Sequence, residues 1–81
     1  MIVSAYCLIG RTAMGTYTKR GTIAVDPKVI KLGSHLYVPG YGNGRALDTG
    51  SAIHGRRIDI WMKSCDAARK WGIRKVRVKI R

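Results

Sequence analysis

Residues 46–60 read ALDTGSAIHGRRIDI, and their reading decides the fold. Arg45–Asp48 (RALD) and Arg57–Met62 (RIDIWM) have the apolar alternation of two short strands. Between them runs a loop whose Gly50 and Gly55 are expected to take backbone angles closed to larger residues. Asp48 ends the first strand and Asp59 interrupts the second between Ile58 and Ile60, a setting that disfavours a carboxylate and calls for a partner or a cleft. The chain has sixteen Lys and Arg but only four acidic residues. Two of those four, eleven positions apart, therefore bracket one glycine-bearing loop.

Working outward, Ile2–Leu8 and Thr22–Asp26 read as strands one and two, the latter stopped by Pro27. In DPKVIKLG, Asp26 suits the cap of a single helical turn, with Pro27 first and Gly33 closing it. HLYVP (residues 35–39) is strand three, and GYGNG (residues 40–44) supplies an Asn-Gly hairpin turn into strand four. Ser64 caps one helix over SCDAARKWG; Asp66 sits in its first turn, Arg69 and Lys70 in its last, and Gly72 stops it. Residues 73–80 form the last strand, with Val76, Val78 and Ile80 inward and Arg77, Lys79 and Arg81 outward. Six short strands and one helix predict a mainly β protein, a small closed or nearly closed barrel.

At 81 residues the chain is expected to be one domain, residues 1–81. A chain of that size buries roughly 60% of its unfolded surface, so its core is thin. No apolar run approaches the roughly 20 residues that span a bilayer. MIVSAYCLIG lacks a basic start and is broken by Ser4, so it reads as a strand and not as an export signal. The net charge of +12 points to a polyanionic partner: nucleic acid, anionic membrane or anionic cell-wall polymer. Half of the basic residues lie between Lys63 and Arg81. Cys7 and Cys65 have neither zinc-site nor redox-motif spacing; they are read as buried thiols, with one disulfide between the first strand and the helix as the alternative.

With Asp66 assigned to the helix, three aspartates remain. By alternation Ala24 and Asp26 share one face of strand two, and Ala46 and Asp48 share one face of strand four. Each acid singly has an ordinary explanation: Asp26 as a cap, Asp48 as a turn former bonding the Thr49 and Gly50 amides, Asp59 as a partner for Arg56 or Arg57. Together, in so acid-poor a chain, they are read as one site. A carboxylic acid in a partly apolar setting stays protonated and serves as a general acid, and a close pair can cleave glycosides.

TIAVDPKVIKLGSHLYVPGYG, ALDTGSAIHGRRIDI and the helix after them resemble the 3D domain, named for three aspartates that Asp26, Asp48 and Asp59 match in order and spacing. The resemblance extends from SAYC and RTAMG to the last strand. It implies a double-psi β-barrel related to the membrane-bound lytic transglycosylase A group and to stationary-phase muralytic proteins. It further implies that Asp59 is the catalytic acid, with Asp48 and Asp26 lining or ordering the site, and that the substrate is peptidoglycan. Ser51, His54 and Lys31 depart from the family's usual Gly, Lys and Pro.

The implied reaction is lytic transglycosylation, in which one acid protonates the glycosidic oxygen between N-acetylmuramic acid and N-acetylglucosamine and then deprotonates the muramoyl 6-hydroxyl. Thr49 and Gly50 are the expected substrate-binding backbone. Tyr37, Tyr41 and Trp61 are candidate sugar platforms, core packing being the more ordinary use of each. The implied protein is a monomer at the cell wall or outside the cell, without cofactor. The aspartic-protease reading of DTGS explains neither Asp26 nor Asp59 and would need a dimer. A non-catalytic module binding wall glycan or anionic polymer is the alternative. Nucleic-acid binding rests on charge alone, and no EF-hand pattern or His pair supports a metal.

Overall fold

The computed structural model describes all 81 residues. It is mainly β: β1 (Ile2–Tyr6), β2 (Thr22–Val25), β3 (His35–Val38), β4 (Gly42–Asp48), β5 (Arg57–Trp61), α1 (Cys65–Trp71), β6 (Arg74–Lys75) and β7 (Lys79–Ile80). The strands form one sheet in the order β6-β1-β5-β2-β4-β3-β7. β1 runs parallel to β5 and β2 parallel to β4, whereas β5 and β2 are antiparallel at the centre.

Seven strands stand where six were expected, because the final segment divides. Arg74–Lys75 pair with β1 at one edge of the sheet, and Lys79–Ile80 pair with β3 at the other. Three residues thus bridge opposite edges, which requires the sheet to curl into a half-barrel. Val76 and Val78 point into that curl and pack on the core, as alternation predicts, whereas Ile80, expected inward with them, is half exposed on the edge strand β7. Arg77, Lys79 and Arg81 are all exposed, but they do not form one strand face, since Arg77 lies in the bridge.

The inner face carries Val3, Ile23, Val25, Leu36, Val38, Ala46, Ile58 and Ile60, joined by Ile30, Tyr41 and Trp71. On β4 this face is built of Gly42, Gly44 and Ala46. The small side chains let the neighbouring strand close in: a Cβ on Gly44 would lie 2.6 Å from Ile23 Cδ1 and 2.7 Å from the Gly21 carbonyl. The β3–β4 hairpin turns at Pro39–Tyr41 with Gly40 at φ +85°, so the Asn43–Gly44 pair expected to make the turn lies inside β4, opposite Tyr37 and Leu36. A backbone that reverses three residues earlier leaves Asn43–Gly44 to make ladder hydrogen bonds instead.

The helix follows its sequence signals. Ser64 Oγ accepts from the Ala67 N–H at 3.3 Å, and Gly72 at φ +67° ends it. The segment after Asp26 makes the expected single turn: the Val29 and Ile30 amides both donate to the Asp26 carbonyl at 2.9 Å, the Asp26 carboxylate accepts the Lys28 N–H, and Gly33 follows at φ +92°. Cys7 and Cys65 are bonded as a disulfide with Cα atoms 5.2 Å apart, which overturns their reading as thiols. β1 ends at Tyr6 so that Cys7 can turn toward the start of α1.

Candidate functional site

β4 is parallel to β2 and β5 antiparallel to it, so the 49–56 loop passes over the C-terminal end of β2. This topology explains the spacing of the aspartates. Asp48, where β4 ends, and Asp59, two residues after β5 begins, both lie in register with Ala24, one on each side. Ser4 of β1 is in turn registered with Asp59. Residues in lateral register share a face, so Ser4, Asp59, Ala24 and Asp48 form one row across four strands, on the side of the sheet away from the core. The two carboxylate-bearing backbones are two strand spacings apart, about 9.5 Å, with the Ala24 methyl between them in the sheet.

Asp48 reaches this row through a β-bulge. Ile23 pairs with Ala46 but Ala24 pairs with Asp48, which leaves Leu47 as the extra residue. The expectation that Ala46 and Asp48 share a face is therefore corrected: Ala46 is fully buried in the core, and the bulge turns Asp48 to the opposite side.

The three acids are bound differently. Asp48 Oδ1 accepts the Ala13 N–H at 3.0 Å and the Thr49 N–H at 2.9 Å, while its Oδ2 accepts the Tyr6 phenol at 3.3 Å. Asp26 Oδ1 accepts the Lys28 N–H at 3.0 Å and Oδ2 the Gly55 N–H at 2.9 Å. Those two bonds, the Gly55 one foremost, hold its carboxyl below the ordinary aspartate range. Asp26 is thus the latch of the 49–56 loop as that loop crosses β2. At Asp59, Oδ1 accepts a short hydrogen bond from Ser4 Oγ, and Oδ2 has no protein partner. None of these three acids is ion-paired; the chain's one salt bridge is Asp66 with Arg69 on the helix.

Tyr6 and Ser4 belong to the site, and the sequence reading omitted both. Burial first, then the charge of Asp48 and the bond to it, push the Tyr6 phenol far above its ordinary value, with Asp59 adding to the rise. Tyr6 is therefore a permanent hydrogen-bond donor beside both acids. The alternation of β1, which places Ser4 and Tyr6 opposite Val3 and Ala5, carried the only signal for them. Arg57 lies on the Asp59 face one alternation earlier, and its buried Nε has no partner.

The expected substrate-binding residues divide. Thr49 and Gly50 are exposed on the loop beside Asp48. Gly50 does not have a positive φ; its constraint is Ile53, whose Cγ1 would lie 3.0 Å from an added Cβ, whereas Gly55 does sit at φ +70°. Tyr41 is buried, donating to the Trp61 carbonyl at 2.6 Å and accepting the Gly21 N–H at 2.8 Å, so it is no sugar platform. Trp61 is also buried and donates Nε1–H to the Leu8 carbonyl, although its edge lines a cavity of about 460 Å³ with Ile9, Thr18 and Lys63. Tyr37 is exposed but lies on β3, beyond β4 from the acid row. No three His, Cys, Asp or Glu side chains converge tightly enough to hold a metal ion.

None of the cavities is lined by an aspartate. Beside the row stands the 7–20 loop, tied down by the Cys7–Cys65 bridge and seated on β4 through Ala13 and through the Met14 N–H to the Leu47 carbonyl at 3.0 Å.

The chain has cell-wall relatives. Over 58 residues it is 53% identical to the cell wall-binding protein YocH of Bacillus subtilis (strain 168), covering 72% of this chain and 20% of YocH. It is 47% identical over 75 residues to YabE of the same organism, a protein named for cell wall shaping, covering 88% of this chain and 18% of YabE. The prophage-derived protein YorM shares 45% over 65 residues, covering 76% of this chain and 27% of YorM. The chain spans only 18% to 27% of the length of these relatives. A family model described as 3D domain matches residues 21–81, which include all three aspartates. With that match over most of its length and these cell-wall relatives, the chain belongs to the 3D domain family.

Proposed function

We propose that this domain is a lytic transglycosylase of peptidoglycan in which Asp59 is the single general acid and base. The observation that carries this reading is the difference among the three carboxylates. Asp26 and Asp48 have both oxygens engaged by the protein, whereas Asp59 is oriented through Oδ1 by Ser4 and keeps Oδ2 for a substrate.

Asp59 would donate its proton to the glycosidic oxygen as the bond to the muramoyl C1 breaks, and N-acetylglucosamine would leave with that proton. Positive charge then develops at C1, and Asp48, held by Tyr6 and two amides across the Ala24 gap, would stabilise it. The Asp59 carboxylate would next take the proton from the muramoyl 6-hydroxyl, whose oxygen closes on C1 to give the 1,6-anhydro product. Proton and electron pair balance, and no nucleophilic carboxylate is required. We further assign the curled sheet, with its two parallel pairs, to the double-psi barrel, and the protein to a monomer at the wall, where an exterior setting preserves the disulfide.

Purified peptidoglycan digested by the chain tests this. Anhydromuramoyl products from wild type, with a folded Asp59→Asn releasing about 10²-fold less or lower, are expected. Reducing-end muramoyl sugars would replace the transglycosylase by a hydrolase. The name of YocH favours a second reading, a wall-binding module without catalysis; sacculus binding with no product at all would select it.

A further inference from the structure

Two cavities, of about 290 and 310 Å³, lie side by side over β4 and β3. The first is lined by Lys19, Arg20 and Arg45 among others, the second by Arg81, and both by His35, Asn43 and Gly44. Sharing three residues, they form one trough. Arg45 is registered against both Thr22 and His35, and the His35 carbonyl accepts the Arg81 N–H at 2.8 Å, so these residues succeed one another across the sheet.

No acidic side chain lines the trough. Arg20 is occupied, bonding the Tyr41 carbonyl at 2.7 Å and lying over its ring. Lys19, Arg45, His35 and Arg81 offer side-chain donors with no protein acceptor, while the chain's one salt bridge is on the helix. Cations in series, unneutralised and recessed, fit an anion that repeats.

We propose that this trough binds a flexible polymer of alcohol units joined by phosphodiesters, in the wall setting that the functional reading above supplies. Guanidinium groups bind phosphate oxygens two at a time, which suits Arg45 and Arg81. Single-stranded nucleic acid is a poorer match, since it is held by aromatic stacking and no aromatic side chain except the His35 imidazole lines the trough. The cavities are too small for a duplex. Arg45 occupies the same face of β4 as Asp48, so a wall strand carrying such a polymer would be held on β3 and β4 with its glycan toward the acid row.

The test is fluorescence anisotropy with labelled poly(glycerol phosphate) at low salt. Lys19→Gln with Arg45→Gln is expected to weaken binding at least about tenfold, whereas Lys70→Gln with Arg77→Gln, which removes equal charge from the helix and the β6–β7 bridge, changes it less than about twofold. Neither Lys19 nor Arg45 uses its side chain to hold the fold. Equal losses in both double variants would reduce the trough to bulk charge. Single-stranded DNA of equal charge binding as tightly as the polymer would overturn the polyol assignment. So would a trough variant that loses sacculi stripped of phosphate polymer while still binding the polymer. Cleavage of stripped peptidoglycan is expected to be unchanged in the trough variant. Polymer binding is expected to persist in Asp59→Asn, so failure of the trough and failure of catalysis have separate readouts.

Discussion

Asp48 and Asp59 take the same cross-strand neighbour, Ala24, from opposite sides. Within the sheet only the Ala24 methyl stands between the two acids, and it is covered: Ala24 is 4% exposed, and Tyr6 reaches from β1 across this position to Asp48.

A larger side chain at that covered position should displace Tyr6 and the two acids. Ala24→Val is expected to abolish muramoyl release or sacculus capture while costing about 1–3 kcal/mol from overpacking. Ala24→Ser, nearly isosteric, should retain most of the function. Wild-type function in a folded Ala24→Val chain would show that the packing around Ala24 does not set the positions of the acids.

Tyr6→Phe removes the partner of Asp48 Oδ2 and keeps the ring. A hydrogen bond to a charged acceptor contributes about 1.5–3 kcal/mol, less here because the pair is only partly buried and 3.3 Å long. A modest fall in Tm with a larger fall in turnover is expected, and thermal melts beside product assays read the two separately. A proportional loss of both would make Tyr6 a packing residue only.

Asp26 supplies a pH dependence whose sign follows from its depressed folded value. Its contribution to stability is complete above the ordinary aspartate value of 3.8 and is lost as pH falls through the lower folded value. Asp26→Ala should therefore melt below wild type at pH 6, and the two curves should converge at strongly acid pH. Hydrogen exchange should show the Gly55 amide exposed in the variant. Parallel curves across the whole range would remove the latch.

The Cys7–Cys65 bond joins residues 58 apart in sequence, and on the chain-entropy model closing such a loop contributes about 4 kcal/mol. For a domain of this size that corresponds to a Tm drop of roughly 15–30 °C on reduction, measurable by circular dichroism with and without dithiothreitol. Because the bridge tethers the 7–20 loop, which sits on Asp48, reduction should also lower function at temperatures where the chain is still folded.

The elements were legible wherever a few adjacent residues specify them. Ser64, Asp66 and Gly72 mark the helix through caps and dipole, and alternation marks the inward Val76 and Val78. The nonlocal features had no such signature. Alternation counts by twos, so the single extra residue Leu47 inverts the face of Asp48 without leaving any mark in the pattern. Likewise, residues 73–80 declare which side chains turn inward but not which strand their amides will meet, and only the curl of the sheet sends the two halves to opposite edges. Asp26, Asp48 and Asp59 could be named from the chain, since acids are scarce in it. Their unequal roles were set by contacts from Ser4, Tyr6, Ala13 and Gly55, residues distant in sequence that the loop crossing over β2 and the parallel pairing of β1 with β5 bring to them.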